Sequence, residues 1–268
     1  MKYYPILIPV KAHSSRCPGK NALLLPILYK SLKKSGIVER CVVLCDSEEI
    51  MCIADRIGFN TWLEPQNTLY KRDKYNHIEL KSESVCKSEF ESMAQWKLWY
   101  LSKTDEEQEK LYNGIIFNTS WCFLAPATQP IKHPYFYNTI HSHEDKLKTL
   151  QENNCKVIAS TSLLTDRDIF HVCYSQSEGP FNDLVFSKDS AHRRGNLCYK
   201  RMNVDGTWYF INTNFLEDMV LGNDPDRQNE LFWNKSNMYG INNNEQPHID
   251  IDTEDDMKQL LFIIEQLK

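Results

Sequence analysis

The sequence lacks any apolar run long enough to cross a membrane, for which about 20 consecutive apolar residues are needed. It also lacks the N-terminal pattern of a secretory signal peptide. Apolar residues make up 41% and charged residues 25% of the 268 residues, which is the balance of a folded globular protein rather than a disordered one. We therefore expect a cytoplasmic protein with a sizeable core and no membrane partner.

The sequence also lacks the excess of positive charge that is typical of nucleic-acid-binding proteins. Its 31 lysines and arginines are outnumbered by 36 aspartates and glutamates, which gives a net charge of −5. General nucleic-acid binding is therefore not expected, and any basic stretch is a local feature. The nine cysteines are scattered and odd in number. Because Cys41 and Cys45 bracket an apolar run, free buried thiols are expected there rather than a metal site.

Alternating strand and helix patterns near the N-terminus indicate an α/β fold. Residues 4–8 form an apolar run that predicts a buried strand, and a helical pattern follows at residues 26–34, with Pro26 in its first turn. Residues 38–45 predict the second strand. This order of elements predicts a doubly wound, mostly parallel sheet within a single domain that spans residues 1–268.

A second helix and a third strand continue this pattern. Asp46 and Glu49 have the spacing of a capping box and predict the start of a helix that ends at Gly58. A short strand is then expected at residues 60–63. In doubly wound sheets, ligands bind beyond the carboxyl ends of the strands, so we expect the site at that edge.

A basic stretch follows the first predicted strand. Residues 9–21 read PVKAHSSRCPGKN and contain neither the GxxxxGK[ST] nor the GxGxxG motif of other nucleotide-binding proteins. Loop amides and a helix N-terminus can bind an anion, to which Lys11, Arg16 and Lys20 would add positive charge. A solvated basic loop is an equally good interpretation of the spacing alone.

The sequence HIDIDTEDD at residues 248–256 is the second informative stretch. In an extended strand, Asp250 and Asp252 share one face and are separated by about 6.6 Å along the chain. Two such carboxylates can bind Mg²⁺ together with phosphates and water. Thr253 and Asp256 have the spacing of a capping box for a helix. A capped turn without a metal is the alternative that this pattern leaves open.

The middle of the chain is less informative. Helical spacing predicts an amphipathic helix at residues 88–101, whose aromatic side chains we assign to packing rather than to base stacking. A helix is expected at residues 134–150, and a strand is expected at 156–163. The polar, basic segment 160–202 is long for a compact domain, and such segments are usually functional.

Several stretches together resemble the CMP-sugar synthetases, which are the cytidylyltransferases that activate sialic acid and 3-deoxy-octulosonate. Residues 125–132 are similar to the family's LQPTSPLR, allowing one inserted residue, and residues 249–256 are similar to its IDIDTxxD. Residues 205–211 resemble the family's NGAIYI strand, so a strand is expected there as well. The basic stretch resembles the family's P-A-R-x-x-S-x-R-x-P-G-K-N, with Lys11 in place of the first arginine. The residues that match this loop pattern are Pro9, Ser14, Arg16, Pro18, Gly19, Lys20 and Asn21.

This resemblance implies a nucleotide-diphospho-sugar transferase-like fold and a reaction of CTP with a sialic-acid-like 2-keto acidic sugar to give a CMP-sugar and pyrophosphate. It implies Mg²⁺ held by Asp250 and Asp252, with Lys20 and Asp252 in catalytic roles. The implied nucleotide-binding residues are Lys11, Ser14, Arg16, Lys20 and Asn21.

The resemblance also implies a homodimer in which residues near 160–202 form a dimerisation extension. Arg193, Arg194 and Arg201 lie in this segment, and they are candidates for binding the sugar carboxylate because arginine forks suit carboxylates. Solvated surface charge is an equally good interpretation of any single one of them. Ala125 replaces a glutamine that binds the sugar in the family, a departure that bears on which sugar is used.

Two other functions remain open on the sequence. A metal-dependent glycosyltransferase could use Asp250 and Asp252 as a DxD motif. A catalytically inactive nucleotide-binding relative is suggested by the residues at the altered positions Lys11, His13 and Ala125.

Overall fold

A computed structural model describes residues 2–14, 17–82, 86–130, 155–163, 173–174, 178–180, 202–242 and 249–266. Its strands are β1 (Ile6–Val10), β2 (Cys41–Cys45), β3 (Asn60–Leu63), β4 (Thr68–Arg72), β5 (Ile78–Ser82), β6 (Trp121–Leu124), β7 (Val157–Leu163), β8 (Cys173–Tyr174), β9 (Glu178–Pro180), β10 (Met202–Asn212) and β11 (Met238–Asn242). Its α-helices are α1 (Lys20–Lys34), α2 (Glu48–Ile57), α3 (Glu89–Leu101), α4 (Asp105–Leu111), α5 (Thr213–Val220), α6 (Pro225–Phe232) and α7 (Glu254–Gln266).

The main sheet has nine strands in the described part of the chain. Their order is β3-β2-β1-β6-β10-β7-β11-β9, and β8 pairs with β10. Pairing is parallel from β3 to β6 and again between β7 and β11, whereas β10 runs antiparallel to β6, β7 and β8, and β9 antiparallel to β11. The predicted doubly wound, mostly parallel sheet is therefore confirmed.

Successive residues of β1 pack against helices on opposite faces of the sheet. Ile6, Ile8 and Val10 belong to a core that includes residues of α1 and α2, whereas Leu7 belongs to a second core that includes residues of α3 and α5. Because neighbouring side chains of a strand alternate between faces, this strand is apolar throughout. Two buried cores fix its position in the middle of the molecule.

Most predicted elements near the N-terminus are present with shifted ends. The third strand and the end of the second helix at Gly58 are as predicted, and Gly58 has a left-handed φ of 104°. The first strand lies at Ile6–Val10, two residues later than expected. The second begins at Cys41, because Val38–Arg40 form a 3₁₀ turn. The predicted strands at 156–163 and 205–211 correspond to β7 and β10.

The prediction that Asp46 caps α2 was wrong. Ser47 is the N-cap, and its hydroxyl oxygen accepts a hydrogen bond from the Ile50 N–H over 3.4 Å. The Asp46 carboxylate binds the backbone of the β1–α1 loop instead. The predicted α3 is confirmed, with Ser88 as its N-cap and most of its residues buried.

The hairpin of β4 and β5 was not predicted, because residues 66–85 are polar and carry no clear periodicity. It is attached to α3, where the Gln95 side chain accepts from the Tyr70 N–H over 2.6 Å and donates to the Tyr70 carbonyl over 3.0 Å. Glu217 of α5 forms an ion pair with Arg72 of the hairpin at 2.8 Å. Glu217 also pairs with the buried Lys97 of α3. Tertiary contacts of this kind leave little trace in a local pattern.

The cysteines recorded in the described part are free thiols, and most are buried, as expected. In the same residues, no helix is both long and apolar enough to span a membrane. The predicted helix at 134–150 and most of the predicted extension at 160–202 lie outside the described residues, so that both stay predictions.

Candidate active site

The loop that connects β1 to α1 is held at its start by the end of β2. The Ala12 backbone N–H donates to both carboxylate oxygens of Asp46, over 2.9 and 3.1 Å. The Asn21 side-chain amide, in the first turn of α1, donates to the Lys11 carbonyl oxygen over 2.6 Å. These contacts fix the backbone around Lys11, while the Lys11 side chain remains exposed to solvent.

The end of the loop leads directly into α1. Gly19 is the N-cap and has a left-handed φ of 74°, a conformation that favours glycine. The Ser14 hydroxyl oxygen accepts from the Cys17 N–H over 3.3 Å. No acidic residue lies in the first helical turn, so the positive end of the helix dipole adjoins the loop uncancelled.

The prediction that the first helix begins near Pro26 was wrong, because the helix begins at Lys20. Pro26 lies inside α1 at an exposed position. The missing N–H of a proline leaves one backbone carbonyl without its helical partner, and solvent can satisfy that carbonyl on the exposed side. The basic loop is therefore shorter than the sequence suggested, and Lys20 is a helical residue.

Lys20 joins the two stretches that the sequence singles out. Its side chain is buried, with 5% of its surface exposed. The Nζ atom donates to the Ile251 carbonyl and, over 3.2 Å, to Asp252 Oδ1. A buried ammonium requires such partners because an unpaired charge loses its hydration on burial. The two predicted catalytic residues, Lys20 and Asp252, are in direct contact.

The segment that carries the two aspartates is extended but is not a β-strand. Ile251 is fully buried and its N–H donates to the Thr128 carbonyl over 2.9 Å, whereas Asp250 is exposed and Asp252 half-buried. The predicted alternation of burial is therefore present, and the predicted strand is not. Within the described residues, one backbone hydrogen bond to the turn after β6 takes the place of a sheet ladder.

The predicted capping box at the start of α7 is confirmed. The Asp256 N–H donates to the Thr253 hydroxyl over 3.2 Å, and Asp256 Oδ2 accepts from the Thr253 N–H over 2.7 Å. The Asp252 N–H donates to the same oxygen over 3.0 Å. The hydrogen bond from the Thr253 hydroxyl is the largest cause that lowers the pKa of Asp256, and Lys20 contributes. The Asp256 carboxylate thus holds the turn that carries Asp252.

The chemistry of Asp250 and Asp252 fits a magnesium ion that is bound partly by a substrate. The described residues contain no group of three or more histidine, cysteine, aspartate or glutamate side chains that could hold a metal by themselves. Mg²⁺ is commonly held by only one or two carboxylates together with phosphates and waters. The pair would therefore need phosphate oxygens to complete such a site.

A pocket of about 220 Å³ lies beside the basic loop. Its polar lining combines Lys11 with three carboxylates, from Asp46, Glu64 and Glu89. Asp46 and Glu64 are the first residues after β2 and β3, and Glu89 is the first residue of α3. The remaining lining residues are Pro9, Val10, Pro65, Gln66, Cys86 and Ser88.

The protein surroundings raise the pKa of two of these carboxyl groups. Loss of hydration is the largest cause for Glu64, to which Asp46 and Glu91 add repulsion, while the neighbouring Ser92 hydroxyl and the charge of Lys11 lower the pKa. Loss of hydration also raises the pKa of Glu89, although its side chain reaches solvent, and Lys11 again opposes the shift. Negative charge is therefore concentrated in this pocket beyond what Lys11 balances.

Tyr209 of β10 relates the pocket to the aspartate pair. Burial raises the pKa of its hydroxyl, and the carboxylates of Asp205, Glu89 and Asp250 raise it further. Glu89 of the pocket and Asp250 of the C-terminal segment therefore both lie close enough to Tyr209 to act on it electrostatically. The pocket and the aspartate pair belong to the same region of the molecule.

Comparison with known proteins identifies the fold. No protein-family model and no curated protein matches the chain, whereas many solved structures do. CMP:2-keto-3-deoxy-manno-octonic acid synthetase complexed with CTP has a TM-score of 0.59 at 12% identity and covers 100% of both chains. HddC from Yersinia pseudotuberculosis complexed with GMP-PN has a TM-score of 0.57 at 10% identity over 96% of this chain and 97% of that one. UDP-glucose pyrophosphorylase complexed with UDP-glucose has a TM-score of 0.54 at 9% identity over 99% of this chain and 100% of that one.

The chain has a nucleotide-diphospho-sugar transferase-like fold. The strands β1, β2 and β3 are parallel neighbours, and their carboxyl ends share one edge of the sheet. Lys11, Asp46 and Glu64 follow these three strands directly. The edge where the order of strands predicts a ligand site is therefore the edge that carries the pocket.

Six predicted site residues are described by the structure at this edge, and four others are not described. Lys20 and Asp252 touch each other, Asn21 touches the backbone of Lys11, and Ser14 caps the loop backbone. Asp250 belongs to the same segment as Asp252, at an exposed position. Arg16, Arg193, Arg194 and Arg201 lie outside the described residues.

The acidic side of the site was not predicted. Asp46 was assigned to a helix cap, and Glu64 and Glu89 were not singled out. A signal existed for two of them, because Asp46 and Glu64 each come directly after a buried parallel strand. Glu89 had no such signal, since it reaches the pocket only through the packing of α3.

Ala125 stands where the family that the sequence resembles has a glutamine. Ala125 is fully buried, and the nearby Gln129 has 2% of its surface exposed. The Gln129 Nε2 atom donates to the Asp205 carbonyl over 3.2 Å. Its Oε1 atom is buried and has no hydrogen-bond partner among the residues that the structure describes. Gln129 thus links the turn after β6 to the bend in β10.

Proposed function

We propose that this protein is a nucleotidyltransferase that transfers CMP from CTP to the anomeric hydroxyl of a 2-keto acidic sugar, with release of pyrophosphate. The observation that carries the proposal is the contact of Lys20 with Asp252 and with the Ile251 carbonyl. It joins a basic loop suited to phosphates to a carboxylate pair suited to Mg²⁺, at the ligand-binding edge of the sheet. The fold and the motif resemblance support the same reaction.

The residues of the loop would bind the triphosphate. Lys11 is exposed at the carboxyl end of β1, and the N-terminus of α1 adds a positive dipole end. Ser14 and Asn21 act on the loop backbone and would set its shape. Arg16 would add a second cation, and Arg193, Arg194 and Arg201 would bind the sugar carboxylate.

Lys20 would act mainly by position. Because it is buried and contacts Asp252, it sets the distance between the loop and the carboxylate pair before any ligand binds. Preorganised charges of this kind stabilise a transition state without reorganising during the reaction. The remaining N–H of the ammonium can then donate to a phosphate oxygen.

The proposed reaction is a displacement at phosphorus. The anomeric oxygen of the sugar forms a bond to the α-phosphorus of CTP, and the bond from that phosphorus to the oxygen bridging to the β-phosphorus breaks. The electron pair of that bond leaves with pyrophosphate, and the hydroxyl proton passes to solvent. Bound Mg²⁺ would supply charge neutralisation and orientation of the phosphates, and Asp250 and Asp252 are the residues that would hold it.

The assembly proposed with this function is a homodimer formed through the segment near residues 160–202. The proposal rests on the length and basic character of that segment. Static light scattering at micromolar concentration tests it, and a fully active monomer would contradict it.

The reaction can be tested by measuring pyrophosphate release with each of four nucleoside triphosphates and a panel of eight- and nine-carbon 2-keto sugars. We expect release with CTP, dependent on both Mg²⁺ and one of the acidic sugars. Transfer of a sugar from a nucleotide-sugar donor, with no release from free sugars, would overturn the proposal in favour of a glycosyltransferase. Nucleotide binding without turnover of any pair would overturn it in favour of an inactive relative.

A further inference from the structure

The pocket beside the basic loop has few hydrogen-bond donors to offer a ligand. The two N–H groups of Gln66 are engaged with the carbonyl oxygens of Asp46 and Glu64, over 3.3 and 3.1 Å. The Ser88 hydroxyl donates to Gln228 Oε1 over 2.5 Å. Lys11 is the one cationic side chain among the lining residues that the structure describes.

The same pocket is rich in acceptors. Glu64 follows β3 and is half-buried, and Glu89 begins α3 on another side of the pocket. Glu89 makes no hydrogen bond within the described part of the chain. Asp46 contributes a third carboxylate, but both of its oxygens already accept from the Ala12 N–H. Glu64 and Glu89 are therefore the carboxylates that can accept hydrogen bonds from a ligand.

The size of the pocket suits a single ring. Its volume of about 220 Å³ is below the range of about 300–1,000 Å³ that is typical of sites for whole small molecules. Because Lys11 belongs both to the loop and to the pocket lining, a triphosphate held by the loop places its nucleoside end next to this pocket. The ring in question is then the base.

Carboxylates discriminate between the two common pyrimidines. Cytosine carries an exocyclic amino group that donates hydrogen bonds, and a glutamate can accept from it. Uracil carries a carbonyl oxygen in the same place, so that two acceptors would face each other in a partly desolvated site. An acceptor-rich pocket therefore favours an amino-bearing base.

We infer that Glu64 and Glu89 select the nucleotide by accepting hydrogen bonds from an amino group of its base, so that CTP is used and UTP is rejected. This inference rests on the proposed function, because the loop must hold the triphosphate for the base to reach the pocket. Sites built around a polar contact reject analogues that lack it far more strongly than apolar sites reject a missing methylene.

The test compares kcat/KM for CTP and UTP, with saturating sugar, in the wild-type protein and in three variants. The wild-type protein is expected to prefer CTP by at least about 100-fold. Glu64→Gln and Glu89→Gln give the pocket an N–H donor for the uracil carbonyl and are each expected to lower this preference about tenfold. The matched control is Glu48→Gln, an exposed carboxylate in the first turn of α2 that does not line the pocket, and it should keep the wild-type preference.

Two results would overturn the inference while leaving the proposed function intact. One is a wild-type protein that uses UTP as well as CTP, and the other is an unchanged preference in both pocket variants. Glu89 is exposed, so its variant should fold even if the Glu64 variant does not. If no nucleotide turns over at all, the proposed function fails instead. Calorimetric binding of CTP and UTP to the same four proteins then decides the inference by the same criteria.

Discussion

The two ends of the candidate site differ in how their charges are satisfied. At the loop end, Lys20 contacts Asp252, and Asp256 accepts hydrogen bonds from the turn that carries Asp252. At the pocket end, the surroundings raise the pKa of Glu64 and Glu89, and Lys11 alone opposes them with positive charge. Paired charges hold a structure in place, whereas underpaired ones store an unfavourable energy that a ligand can relieve. The loop end is therefore held in place by its own charge pairs, whereas the pocket end has carboxylates that a ligand can still pair.

The largest expected effect is at the loop end, in Asp252→Asn. Asparagine keeps the shape of the side chain but removes the charge that both Mg²⁺ and Lys20 require. We expect turnover to fall on the order of 100-fold or more, with no recovery at ordinary Mg²⁺ concentrations. Steady-state pyrophosphate release across a Mg²⁺ titration measures this.

Asp255→Asn is the matched control for that experiment. Asp255 lies in the first turn of the same helix, is exposed, and pairs with Lys258 at 2.7 Å. Its variant should turn over at the wild-type rate. Equal rates and equal Mg²⁺ dependence in the Asp252 variant and the wild-type protein would show that this aspartate is not part of a metal site.

A smaller effect on turnover, accompanied by a loss of stability, is expected for Lys20→Ala. Loss of a charge-assisted hydrogen bond corresponds to about 1.5–3 kcal/mol, which is roughly a 10- to 100-fold fall in CTP turnover. Because Lys20 is buried and bridges two parts of the chain, the free energy of unfolding should also fall by about 1–3 kcal/mol. Pyrophosphate release and urea denaturation measure the two quantities.

Lys30→Ala controls for the removal of a lysine from α1. Lys30 is exposed in the same helix, so that both quantities should stay at their wild-type values. If the Lys20 variant loses stability but retains full turnover once folded, Lys20 is a structural residue only, and its assignment to the reaction is wrong.

The smallest expected effect is at the pocket end, in the pH dependence of stability of Glu64→Gln. The folded protein raises the pKa of Glu64 above its ordinary value of 4.5, and therefore binds that proton more tightly than the unfolded chain does. The ionised form of Glu64 therefore destabilises the folded state at neutral pH. This destabilisation disappears below about pH 4.5, where Glu64 is protonated in both the folded and the unfolded state. Asp46, Glu91 and Lys11 are the charged groups that act on it.

Glu64→Gln should accordingly be more stable than the wild-type protein near pH 7.5, and the gain should shrink as the pH is lowered towards 4.5. Thermal unfolding at a series of pH values measures the difference, with Glu48→Gln as the exposed control. A constant difference across the pH range, or a loss of stability at neutral pH, would mean that the Glu64 carboxylate is well accommodated. The contrast between the two ends of the site would then be weaker than we describe.

The loop end could be predicted from sequence because its residues lie in short motifs. Thr253 and Asp256 form the capping box that their spacing predicts, and the alternating burial around Ile251 follows from the alternation of the letters. The contact between Lys20 and Asp252 could not be read from either motif alone. It depends on a three-dimensional fold that places the two motifs side by side.

The pocket end resisted prediction for a physical reason. Glu64 and Glu89 stand in stretches without a motif, and they converge only because α3 packs on the face of the sheet next to β3. The position of Pro26 shows a similar limit, since propensity favoured a helix start there and the glycine cap at Gly19 placed the start earlier.

The contact between Lys20 and the C-terminal segment also has a consequence for how the protein is made. The two partners are separated by 231 positions in the chain. At about 5–20 residues per second, synthesis takes roughly 10–50 s to proceed from one to the other. During that time Leu24 of α1 lacks its buried neighbours Ile251 and Leu260, and the Lys20 ammonium has only water to bind. The nascent chain can form its central strands early, but it cannot assemble this site until the ribosome has delivered the segment that carries Asp252.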